Sequence, residues 1–205
     1  LEKNGEVNEK LDVTDADRFT DYDAYKRVVD SGVDVVLMAT PPVFRPQHLA
    51  YAVDAGKHVF CEKPVAIDSV GIRSVLETTA KATKQNTALM SGFCWRYSYP
   101  QRAVYKEILD GRIGDVVSMH TTYNTGPLGD VAREPGWSDR TWQLRNWKAF
   151  IHLSGDHIVE QAIHAIDWIQ WAMDDVPTSC TAVGGRQCRA GEWTGNMYDH
   201  FGVVY

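Results

Sequence analysis

Two short stretches of this 205-residue chain carry side chains that could do chemistry: FCEKPVAID, residues 60–68, and SGDHIVEQAIHAIDWIQW, residues 154–171. In the first, Glu62 and Lys63 stand side by side ahead of Pro64, whose ring stiffens the turn and holds its neighbours. Side chains held in this way could line a site at the strand's mouth, whereas a freely solvated pair would contribute under about 1 kcal/mol. In the second stretch, Glu160 and His164 lie one helical turn apart, so their side chains can meet or converge on one ligand. Such a histidine can take a proton near neutral pH, and a nearby carboxylate can orient its ring and favour its charged form. His157, Glu160 and His164, spaced by three and four, could instead gather a metal ion. An exposed Glu–His pair on an amphipathic helix is the plainest alternative.

Composition narrows the setting for this chemistry. With 44% hydrophobic and 23% charged residues the chain can bury a substantial core, as one large domain or two small ones. A net charge of −6 without a concentrated Lys/Arg run argues against a nucleic-acid partner and leaves a small molecule as the expected one. There is no run of 18 apolar residues, and the opening LEKNGEVNEK is polar, so neither a membrane span nor a secretory signal is visible in this stretch. Cys61, Cys94, Cys180 and Cys188 form no CxxC pair; four reduced, mostly buried thiols are expected, with a Cys180–Cys188 bridge as the alternative.

The elements that must position the two stretches can be read from periodicity. VDVVLMAT, residues 33–40, is a nearly unbroken apolar run stopped by Pro41-Pro42, as in a buried parallel strand. RPQHLAYAVDAGKH follows as a helix, with Pro46 in its first turn, Leu49, Ala52 and Val53 inward, and Gly56 just past its end. HVFC is the next strand, Ser69 to Lys84 a helix turning Ile72, Val75, Leu76 and Thr79 to the core, and TALMSGF a third strand. Strand, helix, strand, helix, strand is a doubly wound pattern. After Tyr97 come a helix PQRAVYKEILDG and an alternating, strand-like DVVSMHTTYN. Residues 124–153 read as a long functional connection holding Trp137, Trp142 and Trp147 with Arg133, Arg140 and Arg145. One helix is expected from Ser154 to about Met173, with Val159, Ala162, Ile163, Ile166, Ile169 and Met173 inward and Glu160, His164, Asp167 and Trp171 on the flank. TSCTAVGG and NMYDHFGVVY close the chain as strands. A charged opening that leads into a helix, and an end at Tyr205 inside an apolar strand, suggest a fragment of a longer protein.

The run VDVVLMATPPVFRPQHLAYAVDAGKHVFCEKPVAID resembles the Gfo/Idh/MocA family of nicotinamide-dependent oxidoreductases, whose signature is a Thr-Pro turn, a helix with a histidine and a strand ending in Glu-Lys-Pro. The resemblance continues through GFCWRYSYP and LDGRIGDV to the Gly-Asp helix start, nearly the whole chain. It implies an α/β, Rossmann-type doubly wound parallel sheet over residues 1–97, its N-terminal part missing. An α+β substrate-binding and dimerisation domain with a mostly antiparallel sheet would follow over 98–205, its C-terminal part missing. It implies NAD or NADP as cofactor, bound by Thr40, Pro41, Pro42, His48, Glu62, Lys63, Trp95 and Arg96.

By the same resemblance, Lys63, His164 and Glu160 are the catalytic residues, with Glu160 orienting His164 or holding a substrate hydroxyl; the tryptophan-rich loop could offer Trp147 or Trp142 as a platform for a sugar ring with Arg145 beside it. The family's helix usually carries Asp where this chain has Glu160, one methylene longer. No G-x-G-x-x-G occurs, so the phosphate loop and the residue that separates NAD from NADP are not in this sequence. The implied reaction is hydride transfer to or from a hydroxyl-bearing carbon of a sugar, cyclitol or related polyol, by a homo-oligomer without nucleic-acid or membrane partners. NAD-dependent glycoside hydrolysis, a non-catalytic nucleotide-binding regulator and a metal-dependent hydrolase or isomerase are the alternatives. Relatives with the NWKAF and SGDHIVEQ segments include exported ones, which leaves cytoplasm and periplasm both open.

Overall fold

A computed structural model describes residues 13–126 and 128–205. Its first half is a three-stranded parallel sheet of β1 (Val35–Met38), β2 (His58–Cys61) and β3 (Leu89–Ser91) in the order β1-β2-β3. Val36 pairs with Val59 and Phe60 with Met90. Helices α1 (Ala24–Asp30), α2 (Arg45–Asp54) and α3 (Ser69–Gln85) accompany it. Pro46 sits in the first turn of α2, where its missing N–H leaves no bond unmade, and Gly56 follows the helix at φ 73°. Asp68 caps α3 by accepting the Gly71 N–H at 2.7 Å.

The α2 stripe of Leu49, Ala52 and Val53 is buried against Met38, Val59, Cys61, Val75, Ala82 and Val29. Each valine, leucine or methionine side chain buried in this way contributes about 1.5–3 kcal/mol, and each alanine less. Two expectations shift here. The buried stripe of α3 is Val75, Thr78 and Ala82, while Leu76 is 64% exposed and Ile72 is also exposed. Residues 75, 78 and 82 share a face at spacings of three and four, and it is this face that packs toward α2. Strand β1 is parallel as expected but buried on one face only: Met38 is covered, whereas Val35 and Leu37 are exposed.

A 3-10 turn, Cys94–Tyr97, leads into α4 (Tyr99–Leu109), closed by Gly111 at φ 76°. The alternating segment 115–124 forms no strand; Val117 is 91% exposed, and a strand without a partner has nowhere to place its backbone bonds. The connection expected over 124–153 is largely structured instead. It contains α5 (Asp139–Arg145), capped by Ser138 Oγ on the Thr141 N–H, a 3-10 turn Trp147–Ala149, and α6 (Ile151–Ser154). Ala149, Phe150 and Leu153 form a second core with Trp142, Leu144, Trp147 and Val43 around it. The single helix expected to Met173 is two, α7 (Asp156–Glu160) and α8 (Ile163–Met173). Strands β4 (Thr181–Gly185) and β5 (His200–Val204) pair antiparallel. All four cysteines are free, but only Cys61 is buried, against the expectation that most would be. Among the described residues no helix is long and apolar enough to cross a membrane.

Candidate active site

The carboxyl ends of β1, β2 and β3 open side by side, and polar residues follow each of them. Thr40 stands after β1, with its Oγ1 3.2 Å from His48 Nδ1. The His48 ring, 8% exposed, lies between Tyr25 at 4.0 Å and Phe44 at 5.9 Å, and burial pushes its pKa down. Pro41 precedes and Pro42 opens the 3-10 turn Pro42–Phe44 that joins β1 to α2. Arg45, which sequence reasoning did not single out, is buried and ties the strand ends together. Its Nε donates to the Thr40 carbonyl at 2.7 Å, and one Nη to the carbonyls of Glu62 at 2.9 Å and Pro64 at 2.6 Å. The only sequence signal for it was an arginine immediately before the helix-starting Pro46.

Lys63, 97 residues upstream of Glu160, crosses to the second half of the chain. Its Nζ donates to the Glu160 carbonyl at 2.5 Å and lies 3.4 Å from Glu160 Oε1. The break between α7 and α8 explains why that carbonyl is free. In a continuous helix it would accept the His164 N–H, but here His164 N bonds to Gln161 O, and both Gln161 N and Ala162 N bond to His157 O. Lysine therefore caps α7. The second Glu160 oxygen accepts from Gln161 Nε2, and among the described residues nothing hydrogen-bonds the His164 ring. Glu160 thus holds Lys63 rather than orienting His164.

Of the residues expected on the flank of α7 and α8, Glu160, His164 and Asp167 are buried and Trp171 is half-buried, while Val159, Ile163 and Ile166, expected inward, are half-buried and line an open apolar recess with Phe93 and Tyr205. Ion pairing reverses the expected orientation, because Lys63 and Arg96 neutralise the carboxylates that turn inward. His164 packs between Phe93, edge-on at 6.4 Å, and Tyr123 at 5.8 Å. Its pKa is pushed below the ordinary value chiefly by burial and next by Lys63, with Asp167, Glu160 and Glu62 pulling the other way. The imidazole is neutral at neutral pH, the form a general base needs.

The remaining expected residues fall elsewhere. The Arg96 guanidinium is taken up by Asp167, and Trp95 meets Trp168 edge-on at 6.1 Å. Arg145 lies 4.8 Å over the Trp137 ring and Trp147 belongs to the second core. No hydrogen bond or ion pair joins either of them to Lys63, Glu160 or His164 among the described residues. His157 turns to Thr125, its Nε2 3.4 Å from Oγ1, and among the described residues no three His, Cys, Asp or Glu side chains are grouped to share a metal ion.

The strand ends suit the nicotinamide end of a dinucleotide. A hydroxyl, that of Thr40, and a carboxylate and an ammonium, those of Glu62 and Lys63, follow the carboxyl ends of two adjacent parallel strands, where such ligands bind. Gly92 leaves the room: a Cβ there would stand 2.5 Å from Glu62 Oε2 and 2.9 Å from Glu62 Cα.

Comparison with known proteins follows the same division of the chain. A family model described as the oxidoreductase family's NAD-binding Rossmann fold matches residues 2–93, and the GFO/IDH/MocA C-terminal domain matches residues 102–204. Among curated proteins, 2,7-anhydro-N-acetylneuraminate hydratase of Escherichia coli is 29% identical over 167 residues, 82% of this chain and 41% of its own. Inositol 2-dehydrogenase of Serratia proteamaculans is 27% identical over 169 residues, 78% of this chain and 44% of its own. The chain thus spans less than half the length of these relatives. Among solved structures, myo-inositol 2-dehydrogenase from Lactobacillus plantarum aligns with a TM-score of 0.62 at 26% identity, over 82% of this chain and 44% of that one. The aldose-aldose oxidoreductase from Caulobacter crescentus, at 20% identity, shares the fold with a TM-score of 0.65 over 98% of this chain and 55% of its own. Matched in both halves, this chain belongs to the GFO/IDH/MocA oxidoreductase family.

Proposed function

We propose that the protein transfers a hydride between a nicotinamide cofactor and the hydroxyl-bearing carbon of a sugar, cyclitol or related polyol. The observation that carries this reading is the Lys63–Glu160 contact, which ties the turn after β2 to the helix pair bearing His164, whose pKa Lys63 helps to lower. When bound, the cofactor supplies the hydride acceptor or donor. Lys63 spends two of its three donors on Glu160 and keeps one to hold the substrate oxygen as negative charge develops on it. His164, neutral in its buried setting, takes the hydroxyl proton. Thr40, His48 and Glu62 serve the nicotinamide end, with Pro41 and Pro42 stiffening the turn that follows Thr40. The Glu160 carboxylate holds a neighbouring hydroxyl, and Arg145 and Trp147 shape the second domain, whose boundary we place after residue 97.

The test uses the intact protein. Its nucleotide is released by denaturation and identified by mass spectrometry, and turnover is followed over a panel of polyols and sugars. His164→Ala should lower kcat by about 10²–10⁴-fold while nucleotide affinity stays as it was. Turnover undiminished by that change would overturn the assignment.

The likeness to two anhydroneuraminate hydratases supports a second reading, a net redox-neutral reaction at the same residues. Product formation without accumulation of oxidised or reduced nicotinamide would select it over net dehydrogenation.

A further inference from the structure

Helix α8 carries Asp167 three residues after His164, on the same buried face. Its carboxylate is claimed from outside the helix. Arg96, in the turn after β3, donates from Nε to both Asp167 oxygens at 2.9 and 3.0 Å, and its Nη2 lies 2.9 Å from Oδ1. The arginine side chain is 39% exposed and the carboxylate side chain 8%, so the anion is the desolvated partner. The same turn grips α8 along its length. Phe93 meets His164, Trp95 meets Trp168, and the Arg96 guanidinium lies 5.2 Å over Trp171, which stacks on Tyr105 of α4 at 4.0 Å.

We propose that Arg96 and Asp167 form a positioning pair for His164: the ion pair locks α8 against the carboxyl end of β3 and keeps a charge-compensated carboxylate one turn from the imidazole. The inference rests on the acid/base role given to His164 above and deepens it. Arg96 then acts through Asp167 and not as a nicotinamide contact. The charged and titratable groups around the imidazole are Glu62 and Lys63 from the turn after β2, Glu160 from α7, Tyr123 from the segment after α4, and Asp167 on its own helix. Of these, Asp167 is directly ion-paired with an arginine outside the group. Asp167→Asn removes a negative charge and makes His164 harder to protonate. Arg96→Gln exposes the same charge uncompensated and makes it easier.

Two measurements decide the matter in the intact protein: the acid limb of the kcat–pH profile, and a direct NMR titration of the His164 ring, which needs no turnover. The limb should move down by about half to one pH unit in Asp167→Asn and up by a similar amount in Arg96→Gln. Arg96→Lys, which keeps the cation, should stay near the unaltered position. The double variant Arg96→Gln/Asp167→Asn, which removes both charges of the pair, should return close to the unaltered position. Shifts in the same direction, or no shift in the ring titration, would overturn the proposal. So would a loss of nucleotide affinity in Arg96→Gln with the titration unmoved, because the arginine would then be a cofactor contact. If His164→Ala keeps turnover, the reading of His164 as acid/base fails on its own, and the ring titrations still judge the pair.

Discussion

Lys63 shows how one side chain can serve stability and chemistry together. Its ammonium caps the freed Glu160 carbonyl and stands beside His164, so removing the charge while keeping the stem tests both roles. Lys63→Met should lower kcat by about 10²–10³-fold, and denaturant unfolding should show a loss of about 1–3 kcal/mol as a buried carbonyl loses its partner. A stability loss with unchanged turnover would leave the lysine as a helix cap alone. Cys61 is the contrasting case. Burial raises its thiol to about 11, and it packs in the core of the parallel sheet. Alkylation of the native protein near neutral pH should therefore label Cys94, Cys180 and Cys188 and spare Cys61, as read by peptide mass spectrometry. Early labelling of Cys61 would mean that this core opens readily.

At the scale of elements, the site depends on short pieces held at close quarters. The segment before β5 packs on the Trp147–Ala149 turn: Asn196 N and Met197 N bond to the Ala149 carbonyl at 3.0 and 3.2 Å. Gly195 stands there at φ 59°, and a Cβ on it would come within 2.1 Å of the Ala149 carbonyl oxygen. Gly195→Ala must displace backbone, and thermal or denaturant unfolding should register a loss of about 2 kcal/mol or more. An unperturbed midpoint would show that the loop does not need this approach. Such close packing was invisible in the sequence, where residues 124–153 carried no apolar period long enough to announce α5 and α6. The break between α7 and α8 was equally hidden. Apolar spacing runs through Gln161 and Ala162 without interruption, and the lysine that takes the freed carbonyl comes from 97 residues away.

Over the whole molecule, three histidines are held neutral by burial: His48, His157 and His164 each have a pKa below the ordinary 6.5, with desolvation the largest cause. The unfolded chain protonates them near that ordinary value, so below it the unfolded state binds more protons than the folded one. Stability from these groups is fully present above pH 6.5 and is lost as pH falls toward their folded values. Urea midpoints should fall between about pH 7.5 and 5.5. A flat or rising profile would refute the sign.

The parallel strands, the α2 stripe, the Glu62-Lys63 turn and the Glu160/His164 spacing were all legible along the chain, because each rests on local periodicity or on a proline that stops an element. Fold class followed from the alternation of those elements. What the sequence could not determine was which face of α7 and α8 turns inward. Hydrophobicity alone favoured Val159, Ile163 and Ile166, but Lys63 and Arg96 reach over from distant turns and make burial of Glu160 and Asp167 affordable by supplying opposite charge. That choice, and with it the setting of His164, belongs to the tertiary structure, because only there do the partners of a buried carboxylate come within a few ångströms of it.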